Sequence, residues 1–250
     1  MYSRIASIAN VLTISVLFFS CSGKDEPDTE KDEVMQRTFS FSGHEWIAEG
    51  TGSVRVNPGQ NYFSCSEENV WVDKEGNLHL KITERNGNWY CSRVTLKESY
   101  GFGKYVFHVS SRVDKLDRNV VGGLFAYLDD SNEIDIEFSR WGKIFNKNSQ
   151  FAVQPAHHDG NIFRYKNKLR GESSTHIIDW EKDHIDFASY RGYHTIRPPE
   201  RMVINEWSYA GVNIPPGGEE KIMINLWLFQ GKPPSDRKEA EIIVKSFGIY

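Results

Sequence analysis

Asn132-Glu133-Ile134-Asp135-Ile136-Glu137-Phe138 is a seven-residue run in which acidic and apolar side chains alternate without a break. A period of two belongs to a strand with one buried face, so Ile134, Ile136 and Phe138 point one way and Glu133, Asp135 and Glu137 the other. Strands are depleted in acids, and three unneutralised carboxylates on alternate positions repel one another, which costs stability unless a function offsets it. No Lys or Arg interleaves with them, and Arg140 arrives only after the run has ended. A solvated sheet face is the alternative reading; it accounts for one or two such acids more easily than for three.

The spacing carries chemical content. Positions four apart in a strand are about 13 Å apart at the backbone, and inward-leaning side chains bring two carboxyl groups to roughly 5 to 6 Å. Retaining glycosidases use a pair about 5 to 5.5 Å apart, inverting ones roughly 6.5 to 9.5 Å, so Glu133 and Glu137 suit retention. Asp135 between them adds a third negative charge that raises its neighbours' pKa values and can share a proton with one of them.

Working outward, the 250-residue chain has the length of one sizeable all-β domain. Its net charge of -4 is concentrated in residues 22–33, where six acids face two lysines, leaving the remainder near neutral. With no basic stripe read in the sequence, nucleic acid is not expected as a partner. Residues 1–20 carry Arg4 and an apolar run from Ile5 to Phe19, too short to span a bilayer comfortably, and read as a signal peptide. The Leu17-Phe18-Phe19-Ser20-Cys21 ending resembles a bacterial lipoprotein signal, which makes Cys21 the expected lipidation site, with an ordinary cleaved signal and an incidental Cys as the alternative. Lys24-Asp25-Glu26 is similar to the surface-export signal of Bacteroides-type lipoproteins. Residues 21–36 read as a disordered acidic tether and 37–250 as the folded domain. The resulting expectation is an exported outer-membrane or cell-surface lipoprotein of a Gram-negative bacterium. Once Cys21 is set aside, Cys65 and Cys91 remain as an even pair. In an oxidising compartment a disulfide is the expected state, with free thiols as the alternative.

Twelve short strands are readable between Ser53–Val56 and Ala240–Phe247, separated by turn dipeptides such as Asn86-Gly87, and no amphipathic run of helical length intervenes. The expected fold class is all-β. Leu124 to Leu128 and the acidic run, joined by Asp129-Asp130-Ser131-Asn132, read as a hairpin that sets Phe125 and Tyr127 beside the acids. Phe125, Tyr127, Asn225 and Trp227 are candidates either for sugar contacts or for the core, and Trp141 and Gln154 join them as candidate substrate contacts. His157-His158 lacks a third ligand at metal spacing, so no metal is expected there.

The acidic run is also where the chain resembles a known family, glycoside hydrolase family sixteen, and its lichenase/laminarinase-like members in particular. The hallmark of that family is the same Glu-Ile-Asp-Ile-Glu-Phe. Tyr100-Gly101-Phe102-Gly103-Lys104-Tyr105 and Lys221-Ile222-Met223-Ile224-Asn225-Leu226-Trp227 are similar to two further lichenase strands, and Cys65 and Cys91 stand where lichenases carry a disulfide-forming pair. The resemblance implies a concanavalin A-like jelly-roll sandwich of two curved antiparallel sheets with a concave substrate cleft. It implies Glu133 as nucleophile, Glu137 as general acid and base, and Asp135 as assisting carboxylate. It further implies a monomer that acts on a β-linked polysaccharide of the β-glucan or galactan class without a cofactor, and leaves room for a structural calcium ion. Departures fall on residues around the triad: Ala152 follows Gln150-Phe151 where lichenases place Asn, Arg93 stands near their substrate-contacting Glu, and Ser174 and His176 precede Trp180 where His and Tyr are usual. Three functions compete: a retaining endo-acting hydrolase, a transglycosylase using the same residues, and a carbohydrate-binding surface lipoprotein without turnover.

Overall fold

The computed structural model describes residues 35–250. The signal peptide, Cys21 and the tether through residue 34 lie outside the described residues. The sixteen strands are β1 (Gln36–Phe41), β2 (His44–Glu49), β3 (Tyr62–Phe63), β4 (Val70–Val72), β5 (Leu78–Arg85), β6 (Asn88–Leu96), β7 (Gly103–Ser110), β8 (Val120–Asp129), β9 (Asn132–Phe138), β10 (Ser149–Val153), β11 (Ile162–Tyr165), β12 (Ser173–Trp180), β13 (Ile185–Arg191), β14 (Val203–Tyr209), β15 (Lys221–Leu228) and β16 (Ala240–Ile249). Three single-turn 3-10 helices are the only helical elements among the described residues.

Two curved sheets stack face to face, as expected of a jelly roll. The front sheet runs β1-β2-β6-β15-β8-β9-β10-β11 and the back sheet β4-β5-β16-β7-β12-β13-β14. The β5–β6 hairpin passes from one to the other through Asn86-Gly87, both at positive φ, the tight turn that this dipeptide favours. Every named strand pair is antiparallel except β3 with β6.

Alternation builds the core. From the front sheet Val94, Leu124, Ile134, Ile136, Phe138, Phe151, Ile224 and Leu226 point inward; from the back sheet Leu80, Phe107, Ile178, Trp180, Phe187 and Val244 meet them, all essentially inaccessible. Ring contacts stitch the layers, with Trp46 edge-on to Phe247 at 5.3 Å and Phe151 stacked on Phe187 at 5.1 Å. Each fully buried side chain of this size contributes about 1.5 to 3 kcal/mol by removal from water.

Several elements differ from the sequence reading. Ser53–Val56 is not a strand: only Val56 pairs, in a single bridge to Asn61. The hairpin β1–β2, turning at Ser42-Gly43 with φ of 52° and 81°, and strands β3, β11 and β14 were not expected. β1 starts at Gln36, one residue ahead of the expected boundary, and the Met35 carbonyl accepts the Gly50 N–H at 2.7 Å.

The expected disulfide is corrected: Cys65 and Cys91 are free thiols. The parallel pairing of β3 with β6 sets Phe63 opposite Cys91, while Cys65 lies beyond the strand end beside Gly50, whose added Cβ would be 3.2 Å from the Cys65 sulphur. Cys91 is sealed in the core, where burial pushes its thiol up to about 12. Alkylation in denaturant without reductant should label both residues, read by peptide mass spectrometry, and dithiothreitol should leave the melting temperature unchanged.

Candidate active site

β9 occupies the middle of the front sheet, between β8 and β10, so its backbone is fixed on both sides. Ile134, Ile136 and Phe138 are wholly buried in the core, and the three acids stand on the opposite, open face. Register places Tyr127 beside Glu133, Phe125 beside Asp135, and Gly123 beside Glu137 on β8; Ala152 and Gln150 flank Asp135 and Glu137 on β10. The expected β8–β9 hairpin is present, closed by Asp129, whose carboxylate accepts the N–H of Ser131 at 2.8 Å.

The acids are distinguished by their hydrogen bonds. Gln150 Nε2 donates to Glu137 Oε2 at 2.5 Å, and Arg164 Nε on β11 donates to Gln150 Oε1 at 2.9 Å, a two-step chain that orients Glu137. Gln154 Nε2 donates to Asp135 Oδ2 at 3.1 Å while its Oε1 accepts the Ala156 N–H at 2.7 Å. With Oδ2 of Asp135 and Oε2 of Glu137 occupied as acceptors, the other oxygen of each carboxyl is the one left to carry a proton.

Burial raises all three carboxyls. Desolvation lifts Glu137 to about 8, helped by the Asp135 charge and opposed by Gln150 and Arg164. Glu133 rises to about 7 by desolvation, opposed by a hydrogen bond from Asp135 and assisted by the Glu137 and Asp130 charges. Asp135 is lifted well above the ordinary range by desolvation and then by Glu133. Burial therefore favours the protonated form of all three, Asp135 hydrogen-bonds Glu133, and Glu137 still carries its proton near neutrality. Burial thus favours proton uptake as the relief of the repulsion read from the sequence, with Arg164 opposing it at Glu137.

A depression of ≈ 210 Å³ opens beside Glu133, lined by Phe125, Tyr127, Met223, Asn225, Arg93 and Pro58, among others. Phe125, Tyr127 and Asn225 thus lie on the open face next to the acids, outside the main core cluster. Asn225 is 5% exposed, and its Oδ1 has no hydrogen-bond partner among the described residues. That oxygen lies over Gly123, where a Cβ would come within 2.5 Å of it, so only glycine fits. Trp227 shares this face but packs against the core cluster and Gly59 and does not line the depression. Trp141, at φ 46°, lies under the Arg164 guanidinium at 4.7 Å and does not line the depression beside Glu133. Gln154 is committed to Asp135.

Gln150, Arg164, Met223 and Arg93 were not singled out in the sequence as site residues. Cross-strand register joins Gln150 to Glu137, thirteen positions away; the resemblance marked Gln150-Phe151 but gave Gln150 no role. Arg93 is held by Glu49 at 2.8 Å and lies over the Phe63 ring. On the core side, the Phe138 ring meets His176 at 4.6 Å; His176 bonds Ser189 Oγ at 2.8 Å and Ser174 Oγ at 2.9 Å, and burial holds it down to about 3, neutral and remote from the open face. Among the described residues no group of three His, Cys, Asp or Glu side chains is placed to hold a metal.

The raised carboxyls have a stability consequence. Glu137 stands above its ordinary 4.5, so the folded chain binds more protons than the unfolded chain between about pH 4.5 and 8, and stability falls as pH rises through that window. Glu137→Gln, which keeps an acceptor for Gln150, should gain on the order of 2 kcal/mol at about pH 9 and close to nothing near pH 4, read from urea unfolding at both pH values.

No protein-family model and no curated protein matches the sequence. The fold is similar to that of a β-glucanase from Bacillus licheniformis, at 18% identity and TM-score 0.58 over 90% of this chain and 95% of that one. It is similar to a β-1,3-1,4-glucanase (lichenase) from a mouse hindgut metagenome, at 18% identity and TM-score 0.57 over 86% and 97%. It is also similar to a pseudo β-1,3-glucanase of Mycobacterium tuberculosis, at 17% identity and TM-score 0.60 over 82% and 90%. At these identities the likeness establishes the architecture: a glucanase-type β-sandwich with the acid-bearing strand at the centre of its front sheet.

Proposed function

We propose that the protein is a retaining, endo-acting glycoside hydrolase that cleaves a β-linked polysaccharide of the β-glucan or galactan class by double displacement. The observation that carries this reading is the set of three carboxyls on the open face of one strand, with Glu137 and Asp135 held by different glutamines. Glu137, oriented by Gln150, donates its proton to the glycosidic oxygen as that bond breaks. Glu133 attacks the anomeric carbon to form a covalent glycosyl-enzyme, its free oxygen positioned by the hydrogen bond from Asp135. Glu137, now a carboxylate, takes a proton from water, and the resulting hydroxide equivalent releases the sugar with its configuration retained. Phe125 and Tyr127 supply the flat apolar surface on which sugar rings stack. Glucanase-type neighbours in fold are consistent with this reading. The chain is proposed to be exported and held to the outer membrane through lipid on Cys21, on the strength of its leader sequence.

Glu133→Gln should lower turnover of a β-glucan or galactan panel by several orders of magnitude while binding persists. Glu137→Ala should slow poor leaving groups more than activated aryl glycosides, and added azide should restore part of the second step. Retention in the first minutes of reaction by NMR is expected; inversion would end the assignment, and binding without turnover by the unmodified chain would favour the carbohydrate-binding reading. Transfer to added sugar acceptors in preference to water would identify a transglycosylase.

The profile of kcat/KM against pH should be a narrow bell. Its acidic limb rises through about 7 as Glu133 ionises, and its alkaline limb falls through about 8 as Glu137 loses the proton it must donate. Glu137→Ala, assayed with an activated aryl glycoside, should lose the alkaline limb.

A further inference from the structure

Around the end of the front sheet next to Glu137, charge is distributed unevenly. From Arg140 to Arg170 the chain carries seven cations (Arg140, Lys143, Lys147, Arg164, Lys166, Lys168 and Arg170) against one acid, Asp159. Asp159 lies in the β10–β11 connection, at the opposite end of those strands. The near-neutral balance of the whole sequence hides this, and the earlier expectation that no basic stripe exists is corrected. Along β11 and the segment after it, Arg164, Lys166, Lys168 and Arg170 are exposed while Tyr165, Asn167 and Leu169 are buried. In an extended chain such alternate positions are about 7 Å apart on one face.

None of the seven makes an ion pair among the described residues, in contrast to Lys81, Arg85, Arg93, Lys97, Arg112 and Arg197, which all do. Their hydrogen bonds go to neutral acceptors: Arg140 to the Leu116 carbonyl at 3.1 Å, Lys147 to the Arg164 carbonyl at 2.7 Å, and Arg164 to Gln150. The charge is therefore unspent. A groove of ≈ 510 Å³ runs between the β9–β10 loop and the segment after β11, with Lys115, Arg140, Lys147, Lys166 and Lys168 on its walls. Its one carboxylate, Asp114, is already held by Arg112 through two hydrogen bonds of 2.8 and 2.9 Å. Phe145, 98% exposed, stands on the rim.

We propose that this groove extends the cleft and binds anionic groups on the polysaccharide, so that the substrate is a β-linked glycan bearing sulfate or carboxylate. The inference rests on the glycosidase reading for the word substrate, but its binding test does not. What ties the groove to the cleft is Arg164, which touches Trp141, reaches Glu137 through Gln150, and begins the cationic stripe. Glu137, which burial keeps protonated, lessens the repulsion that an anionic chain would meet at this end of the cleft, and the flanking cations raise its local concentration.

The test uses Glu133→Gln protein, so that binding is read without turnover, and one mixed-linkage β-glucan in neutral, sulfated and carboxymethylated forms. Binding is measured by calorimetry at low salt and again at about 0.5 M NaCl, where screening is strong. At least one charged form should bind roughly tenfold more tightly than the neutral parent, an advantage that high salt abolishes. The two charged arms identify which anion is preferred. Lys147→Glu/Lys166→Glu/Lys168→Glu, and its milder Gln counterpart if the first does not fold, should lose that advantage at an unchanged melting temperature. Equal affinity for all three forms, or an advantage that survives charge reversal, would overturn the proposal. So would tighter binding to anionic lipid vesicles or single-stranded DNA than to the charged glucans. Cleavage of the neutral glucan by the unmodified chain with no preference for charged forms would remove this inference and leave the glycosidase reading. Salt-sensitive binding of charged forms with no cleavage of any would do the reverse.

Discussion

Desolvation of three carboxyl groups on one face of β9 is the constraint that the rest of the structure accommodates. Carboxylates taken out of water cost several kcal/mol each unless paired or neutralised, and among the described residues no cation makes an ion pair with Asp135 or Glu133. The protein instead favours their protonated forms and gives each a hydrogen-bond partner: Gln150 for Glu137, Gln154 for Asp135, and Asp135 itself for Glu133. Such an arrangement survives only on a rigid support. β9 has one, since both its edges are paired and its other face is locked into a core of inaccessible Ile134, Ile136 and Phe138.

Much of this was legible because a strand's two faces are written side by side in its sequence. The alternation at 132–138 gave the strand, its buried side and the three acids, and Asp129-Asp130-Ser131-Asn132 gave the hairpin that brings Phe125 and Tyr127 beside them. Periodicity is a local property, and the parts that escaped are non-local. Gln150 and Arg164 become part of the site through cross-strand register, which sequence spacing does not encode. The β1–β2 hairpin was not read although Ser42-Gly43 is a turn dipeptide, because polar Arg37 and His44 share the inward face with Phe39, Phe41, Trp46 and Ala48 and apolar Ile47 lies on the other face. Cys65 and Cys91 are adjacent in topology yet unbonded, since one residue faces the core and the other sits past the end of a two-residue strand.

Charge illustrates the same limit. A sum over 250 residues reports -4, but folding sorts the charges, sending the acids of β9 to one neighbourhood and the cations between Arg140 and Arg170 to the one beside it. A net value near zero is thus compatible with a strongly positive patch beside a group of desolvated carboxyls on one face, and the topology shows how near each other they lie.

β11 is the last strand of the front sheet, and a terminal strand offers unpaired N–H and C=O groups to any other chain that approaches. Arg164 and the exposed lysines just beyond it stand along that border. Were two copies of the molecule to align these borders, like charges would be forced into register, and the continuous intermolecular sheet that an uncharged border permits would be disfavoured. The same side chains that give the cleft its electropositive flank therefore also oppose self-assembly into fibrils.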